Sequence, residues 1–328
     1  MQWEPLTRED ARPLAELWAA IEAEDMTGAV YGVDDVAERL GSRLLDLTEG
    51  TLAARDGDRI VAFGCLPARQ SAGETHLMHL WGGVHPAHRR RGLGRRVIDW
   101  SLRAAPRVSA KPYPGLPVEI TFDVYDDLPG TRALAEGAGF TAARYFARME
   151  RSLTGDLPPV RPPEGVSIAT WSPELDDGVR HVRNEAFRDH WGSVPHTPES
   201  WRHSITGSRN FVPEATFVAL AGERPVGGLV THFFDRKYAL TGERQAWIQI
   251  VATLKEWRGR GVAGTLIAHA LSAFAEQGYT STGLGVDAHN PTGAVSVYTG
   301  SGFAVTRRCT SYLRSLPAAS QESGEISR

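Results

Sequence analysis

Lysine is almost missing from this chain. Lys111, Lys237 and Lys255 are its three lysines, and arginine carries the remaining basic charge. A composition so rich in arginine, alanine and glycine fits a GC-rich bacterial genome. Cysteine is equally scarce: Cys65 and Cys309 stand in apolar, strand-like stretches with no Cys-x-x-Cys spacing. That pattern argues against a disulfide framework or a metal site and for buried free thiols in a reducing cytoplasm. An excess of positive charge is also lacking. The formal net charge is -3, so no global basic field directs the chain to nucleic acid or to an anionic membrane. No apolar run approaches the ~18 residues of a membrane span. The opening, MQWEPLTRED, lacks the basic-then-apolar order of a secretory signal. What is present is an ordinary globular composition, 41% hydrophobic and 23% charged over 328 residues. That length is enough for two domains, in a monomer or a homodimer.

The chain repeats itself. TLAARDGDRIVAFGCL (51–66) resembles TFVALAGERPVGGLVT (216–231), and VHPAHRRRGLGRRVIDWSLRAA (84–105) resembles TLKEWRGRGVAGTLIAHALSAF (253–274). EGAGFTAARYFARMERSL (136–153) resembles TGSGFAVTRRCTSYLRSL (299–316). The three pairs keep their order and nearly the same offset, which chance similarity would not do. Two copies of one domain are therefore expected, at 1–153 and 166–316. Between them lies the proline-rich linker 154–165, and a small, polar tail follows at 317–328.

Each copy shows the same order of elements. A short strand (EPL near residue 5, SIA near 168) precedes helical stretches capped by Thr7 and Ser172. Leu14, Leu17, Trp18 and Ile21 share one helix face, as do Val179, Val182, Ala186 and Phe187 in the second copy. A further helix starts at Thr197-Pro198, a cap followed by proline at the first helical position. Next comes a hairpin with a Gly57 or Gly222 turn, then a long strand (HLWGGV, AWIQIVAT) that runs into a glycine turn and a helix. On that helix Val262, Leu266, Ala270 and Phe274 form the apolar stripe. A further strand (VEITFDV, TGLGVDA), a short helix, a Gly-Phe pair and a last strand complete the copy. This is a mixed α/β domain with helices covering a central sheet.

The glycine turns read Arg89-x-x-Gly92-x-Gly94 and Arg258-x-x-Gly261-x-Ala263. A strand, an arginine-glycine turn and a helix make a site for phosphate. The first N–H groups of a helix lack intrahelical partners, and the helix dipole is positive there. Glycine lets consecutive amides point at one centre, so a phosphate or pyrophosphate would fit. Arg258 and Arg260, or Arg89, Arg90 and Arg91, would add charge at the rim. The plainer alternative is an ordinary helix start with solvated arginines.

With the later NPTGAVSVYTGSGF, carrying Asn290, Ala294, Tyr298, Gly302 and Phe303, the chain resembles a tandem GCN5-related N-acetyltransferase (GNAT). The resemblance covers nearly the whole length, and tandem members such as the mycothiol synthases share its layout. It implies two GNAT domains, each with a mixed, mostly antiparallel sheet whose fourth and fifth strands splay into a V. It also implies an acetyl-CoA-dependent N-acetyltransferase. The main chain of Val251, Ala252 and Thr253 would bond the pantetheine arm. Amides from Arg258 through Gly259, Arg260, Gly261, Val262 and Ala263 to Gly264 would hold the pyrophosphate, with Asn290 close by. The first-copy counterparts are Gly83, Val84, Arg89, Arg90, Arg91, Gly92, Leu93, Gly94 and Arg95.

The copies are unequal. Aligned on Gly-Phe, Ala135 stands where the second copy has Tyr298, Asp127 replaces Asn290 and Thr131 replaces Ala294. The first copy also carries extra residues around KPYPGLP (111–117). Attack of an amine on a thioester expels a thiolate, and a neutral phenol can donate a proton to it. Alanine cannot. Catalysis by direct transfer is therefore expected in the second copy, with Tyr298 as general acid or, on the plainer alternative, as a packing aromatic. The first copy would be non-catalytic.

The general base is less visible. Family members often carry a glutamate on the fourth strand, where this chain has Trp247, and that departure weighs against a mycothiol-synthase activity. Gln249 would order a water. Candidate bases are Asp287 and His289 beside the V, then Glu243, Asp235 and His232. In NEAFRDHWGSVPHTPESW (184–201), Asp189, His190 and Trp191 combine charge with aromatic area, which suits an amine-bearing small molecule. The alternative is a capped loop packed by Trp191 and Trp201. His190 and His196 lack metal-ligand spacing, so no metal is expected. A non-catalytic acyl-CoA-binding protein and a protein or peptide N-acetyltransferase are the other functional readings.

Overall fold

The structure is a computed structural model and describes residues 1–288 and 293–318. The chain divides into two compact units: residues 1–144 together with the chain from Thr310, and residues 145–309.

In chain order the first half comprises β1 (Gln2–Glu4), α1 (Ala11–Asp25), α2 (Val33–Leu40), β2 (Thr51–Asp56), β3 (Arg59–Cys65), β4 (His76–His79) and β5 (Trp81–Val84). Then follow α3 (Leu93–Ala110), β6 (Val118–Tyr125), α4 (Pro129–Gly137) and β7 (Thr141–Ser152). The second half comprises β8 (Val166–Thr170), α5 (Asp176–Ala186), α6 (Pro198–Trp201), β9 (Phe217–Ala221), β10 (Arg224–Phe233) and α7 (Asp235–Thr241). It closes with β11 (Gln245–Thr253), α8 (Val262–Glu276), β12 (Ser281–Asp287), α9 (Ala294–Gly300) and β13 (Ala304–Leu316). The expected hairpins are β2–β3 and β9–β10, with Gly57 and Gly222 at φ 59° and 61°. Thr7 and Ser172 each open a short 3-10 turn that runs into α1 or α5. Thr197 caps α6, accepting the Ser200 N–H at 3.1 Å, and α6 continues into a π-helical turn over Arg202–Thr206.

In the second unit β8 to β11 form an antiparallel run, each strand antiparallel to the next, and β12 lies parallel to β11. Helices α5 and α8 cover opposite faces of this sheet. A side chain at Gly228 would meet Val179 of α5 at 3.1 Å, and one at the adjacent Gly227 would meet Val262 of α8 at 2.9 Å. The apolar stripe of α8 is buried as its spacing requires: Val262 is 1% exposed, and Leu266, Ala270 and Phe274 are fully buried. Each large side chain of that stripe contributes about 1.5–3 kcal/mol.

The last strands are exchanged between units. The part of β7 from Tyr145 belongs to the second unit and pairs antiparallel with β12, from Phe146 opposite Asp287 to Ser152 opposite Ser281. The part of β13 from Thr310 belongs to the first unit and lies beside β6, where the Thr121 and Ser311 hydroxyls are 2.5 Å apart.

One strand differs from its expected form. HLWGGV (79–84) is not continuous: β4 pairs with β6, β5 pairs with β3, and Leu80 is the break. The Leu80 N–H still bonds Thr121 O at 2.8 Å, after which the chain changes partner. Cys65 is buried, whereas Cys309 is only partly covered, and no disulfide joins them.

Candidate active site

The two glycine turns have the same backbone. Gly92 and Gly261 each cap the following helix in the left-handed region, at φ 80° and 87°. Two residues earlier, Arg90 and Gly259 are also left-handed, at φ 61° and 73°. Open space lies where a Cβ would stand at Gly259, Gly261 and Gly264, and residues alternating in this way make a concave row of amides suited to an anion. The neighbouring side chains fall into different roles. Val262 and Leu93 turn into the core. Arg260 stacks over Trp257 at 4.9 Å. Arg95 bonds Asp99 at 2.8 Å and Gly137 O at 3.0 Å. Arg91 is exposed, and Gly94 approaches Leu134, 3.0 Å from where its Cβ would stand; Ala263 occupies that position in the second copy.

Arg89 and Arg258 do not lie over the amides. Arg258 Nε donates to Thr253 O at 3.3 Å and Nη2 to Ala186 O at 2.9 Å. Arg89 Nε donates to Val84 O at 3.3 Å, and its terminal nitrogens grip Asp25 at 2.8 and 2.7 Å. Both guanidinium groups tie the end of a strand to the end of a helix.

The V opens from the register. β11 and β12 pair only from Gln245–Ser281 to Ile248–Leu284, although β11 runs on to Thr253 and β12 to Asp287. The divergence coincides with a bulge in β11, where Val230 faces Ile250 and Thr231 faces Ile248, so that Gln249 is the extra residue. Beyond it, among the described residues, the β12-facing edge of Gln249, Val251, Ala252 and Thr253 has no strand partner. The Thr253 hydroxyl, at the mouth of the turn, is buried with no hydrogen-bond partner among the described residues. An extended polar chain with a phosphate at one end would fit these groups.

Tyr298 lies on α9, 8% exposed, with its ring 6.0 Å from Phe303. Burial pushes its phenol up to about 12, so it keeps its proton at neutral pH. Its counterpart Ala135 on α4 is fully buried. The first unit also fills the space between α1 and its sheet with rings. Trp18 packs against Tyr31 and Trp81, each at 5.1 Å, and the Arg39 guanidinium lies 4.5 Å over Tyr31.

On the α5 face of the second unit the sheet gathers polar groups. Asp287, 3% exposed, stands at the end of β12 with His190 Nε2 4.0 Å from its carboxylate. His190 Nδ1 is 3.3 Å from Trp191 O, and the Trp191 ring is 6.4 Å from Phe146. Asn184 clasps the same segment at its far end. It accepts the His196 N–H at 2.8 Å and donates to His196 O at 2.9 Å. Trp201 is buried and donates to Asp176 at 2.8 Å. The stretch 187–197 between α5 and α6 is therefore an anchored loop, and His190 brings it to the end of β12 where the V opens. Asp189 is exposed, and so is Gln249. His289 and Asn290 lie outside the described residues.

The sequence reading missed Arg148 and Glu150, because β7 sits in the half assigned to the first copy. Glu150 faces Gly283, which faces Trp247, which faces His232, in one row across the sheet. Trp247 holds the fourth-strand position where family members often carry a glutamate, with the Arg148 guanidinium 4.9 Å over its ring. Gln245, 6% exposed, accepts from Lys237 at 2.6 Å and Arg148 at 3.3 Å, and donates to Glu150 at 3.2 Å and Ser281 at 3.3 Å. Burial pushes the Glu150 carboxyl up, but Arg148, Gln245 and Lys237 outweigh it and hold Glu150 ionised. The signal was available: Arg148 and Glu150 alternate with Ala147 and Met149, the pattern of a strand with one polar face. Among the other candidates, Glu243 accepts from Ser281 and Asp235 opens α7. His232 is 5% exposed and is kept neutral by burial.

The family model for the acetyltransferase (GNAT) family matches residues 15–140 and again 177–303. The chain belongs to the GNAT family. It is an N-acetyltransferase with two GNAT regions. A mycothiol acetyltransferase of Mycolicibacterium smegmatis is 31% identical over 269 residues, 80% of this chain and 81% of the relative. One from Kytococcus sedentarius is 27% identical over 307 residues, 92% of each. A solved GCN5-related N-acetyltransferase of Sphaerobacter thermophilus shares the fold with a TM-score of 0.74 at 22% identity, covering 96% of each chain. Helices beside sheets of mixed strand orientation, in a chain with two GNAT regions, agree with the expected fold class.

Proposed function

We propose that this N-acetyltransferase moves an acetyl group directly from acetyl-CoA to the amine of a small molecule, with the chemistry in the second unit. The observation that carries this reading is the asymmetry of the copies. Both keep the turn, but only the second has Tyr298, a buried phenol, and the His190–Asp287 contact at the end of β12. Acetyl-CoA would lie along the unpaired edge of β11, with its pyrophosphate on the amides from Gly259 to Gly264. The His190 imidazole, facing the Asp287 carboxylate, would take the proton of the acceptor ammonium. The freed amine attacks the thioester carbonyl, the C–S bond breaks, and the Tyr298 hydroxyl protonates the departing thiolate. An amide and the CoA thiol result.

The relatives' name makes the unacetylated precursor of mycothiol the first acceptor to assay, beside a panel of aminoglycosides, polyamines and amino-acid derivatives. Trp247 in place of a fourth-strand glutamate favours including that wider panel. The mechanistic test is Tyr298→Phe in the full chain. We expect kcat to fall by about 100-fold, with acetyl-CoA affinity by calorimetry unchanged. Unaltered turnover at saturating substrate would remove Tyr298 from the reaction.

A further inference from the structure

In both copies the first arginine of the glycine turn is spent on the same mechanical task. Arg258 joins Thr253 O, at the end of β11, to Ala186 O, and Ala186 is the last residue of α5. Arg89 joins Val84 O, at the end of β5, to Asp25, and Asp25 is the last residue of α1. The Nε bond is 3.3 Å in each. The partner at the helix end differs, a main-chain carbonyl in one copy and a carboxylate in the other, yet the two connections coincide. The last carbonyls of a helix lack intrahelical partners and carry the negative end of its dipole. A guanidinium there is a cap supplied from a distant part of the chain.

We infer that Arg258 is a positioning residue, which fixes the end of α5, and the segment 187–196 that α5 launches, relative to the turn that holds the donor. This rests on the reading above for the role of that segment, since it carries His190. The planar fork of arginine suits the task, because it reaches two carbonyls with separate nitrogens. It also makes the order of the turn and the order of the acceptor segment one equilibrium. A ligand that steadies the turn steadies Arg258, and through it the end of α5.

The test is Arg258→Lys in the full chain, which keeps the charge but cannot span both carbonyls. Segment 187–196 has hydrogen-bonded amides to report on, His190 N–H to Phe187 O at 3.0 Å and Ser193 N–H to His190 O at 3.0 Å. Amide exchange there should accelerate about tenfold, the equivalent of one lost charge-assisted hydrogen bond, while residues 25–32 stay as they are. Arg89→Lys should do the reverse. Acetyl-CoA affinity of Arg258→Lys should stay within about threefold, and the acceptor KM should rise while the acetyl-CoA KM does not. Unchanged exchange at 187–196 would overturn the inference. So would a large loss of acetyl-CoA affinity with unchanged exchange, which would make Arg258 a phosphate ligand, or faster exchange spread evenly over the unit. The exchange measurement needs no acceptor, so its outcome is separable from the identity of the substrate.

Discussion

Arg90 and Gly259 hold the same place in their turns, at φ 61° and 73°. The left-handed region costs a residue with a Cβ about 1–2 kcal/mol, and Arg90 bears that cost on an exposed side chain. Arg90→Gly removes it, while glycine adds about 0.5–1 kcal/mol of unfolded-state entropy. The first term wins, so the variant should be more stable by about 0.5–1 kcal/mol, read as a higher urea midpoint with an unchanged slope. An equal or lower midpoint would mean that the Arg90 side chain contributes more than its exposure suggests. At this scale the sequence was informative wherever backbone chemistry restricts the residue. Gly92 and Gly261 could be read because few other residues close such a turn. The tasks of Arg89 and Arg258 could not be read, because an arginine beside a phosphate-binding loop and an arginine capping a distant helix are the same letter. Tyr298 against Ala135 was legible because the comparison is internal to the chain.

At the scale of elements, the fourth strand is where the copies part. β11 is continuous and opens the V at its bulge, whereas the first copy breaks between β4 and β5. Hydrophobic alternation marks a strand but not its change of partner, so HLWGGV read as one piece. His76 on β4 shows what the broken strand buries. The Arg69 N–H donates to its Nε2 at 3.1 Å, so Nδ1 carries the hydrogen and donates to Ser109 Oγ at 2.8 Å. Burial, with Arg69 nearby, lowers His76 from 6.5 to about 4. His196, in the segment after α5, is lowered to the same value by burial, Arg183 and Arg180. Both folded-state values lie below the unfolded one. Between pH 6.5 and 4 the unfolded chain therefore binds more protons, and stability rises with pH there. Full stability from these groups is present above pH 6.5 and drains away as the pH falls towards 4. Denaturation midpoints across that range should fall with acidity, and His76→Gln should flatten the slope. A midpoint independent of pH across the window would contradict the buried neutral imidazoles.

For the whole molecule, repetition revealed two copies but not which strands complete them. Self-similarity orders segments along the chain, while sheet completion depends on which edge a strand reaches. Two arginines at matching positions of the repeat record the outcome. Arg151 of β7 donates to Ser301 O beside Gly302, and Arg314 of β13 donates to Ala138 O beside Gly139. Each copy thus braces the other's Gly-Phe turn. Met149 and Ala147, buried in the second unit at 1% and 6% exposure, come from the first half of the chain. Tyr312, 6% exposed and 3.0 Å from Glu136, does the converse. Removing such a strand costs several kcal/mol in lost core alone, against a total stability of about 5–15 kcal/mol. It also bares a sheet edge. A fragment cut at the proline-rich linker, residues 166–316, should therefore lack a cooperative melt and near-ultraviolet dichroism. A fragment of residues 145–309, which follows the compact unit, should show both. If 166–316 melted cooperatively and 145–309 did not, sheet completion by the exchanged strand would not be what holds the second unit together, and each copy would be self-sufficient in the order its sequence repeats.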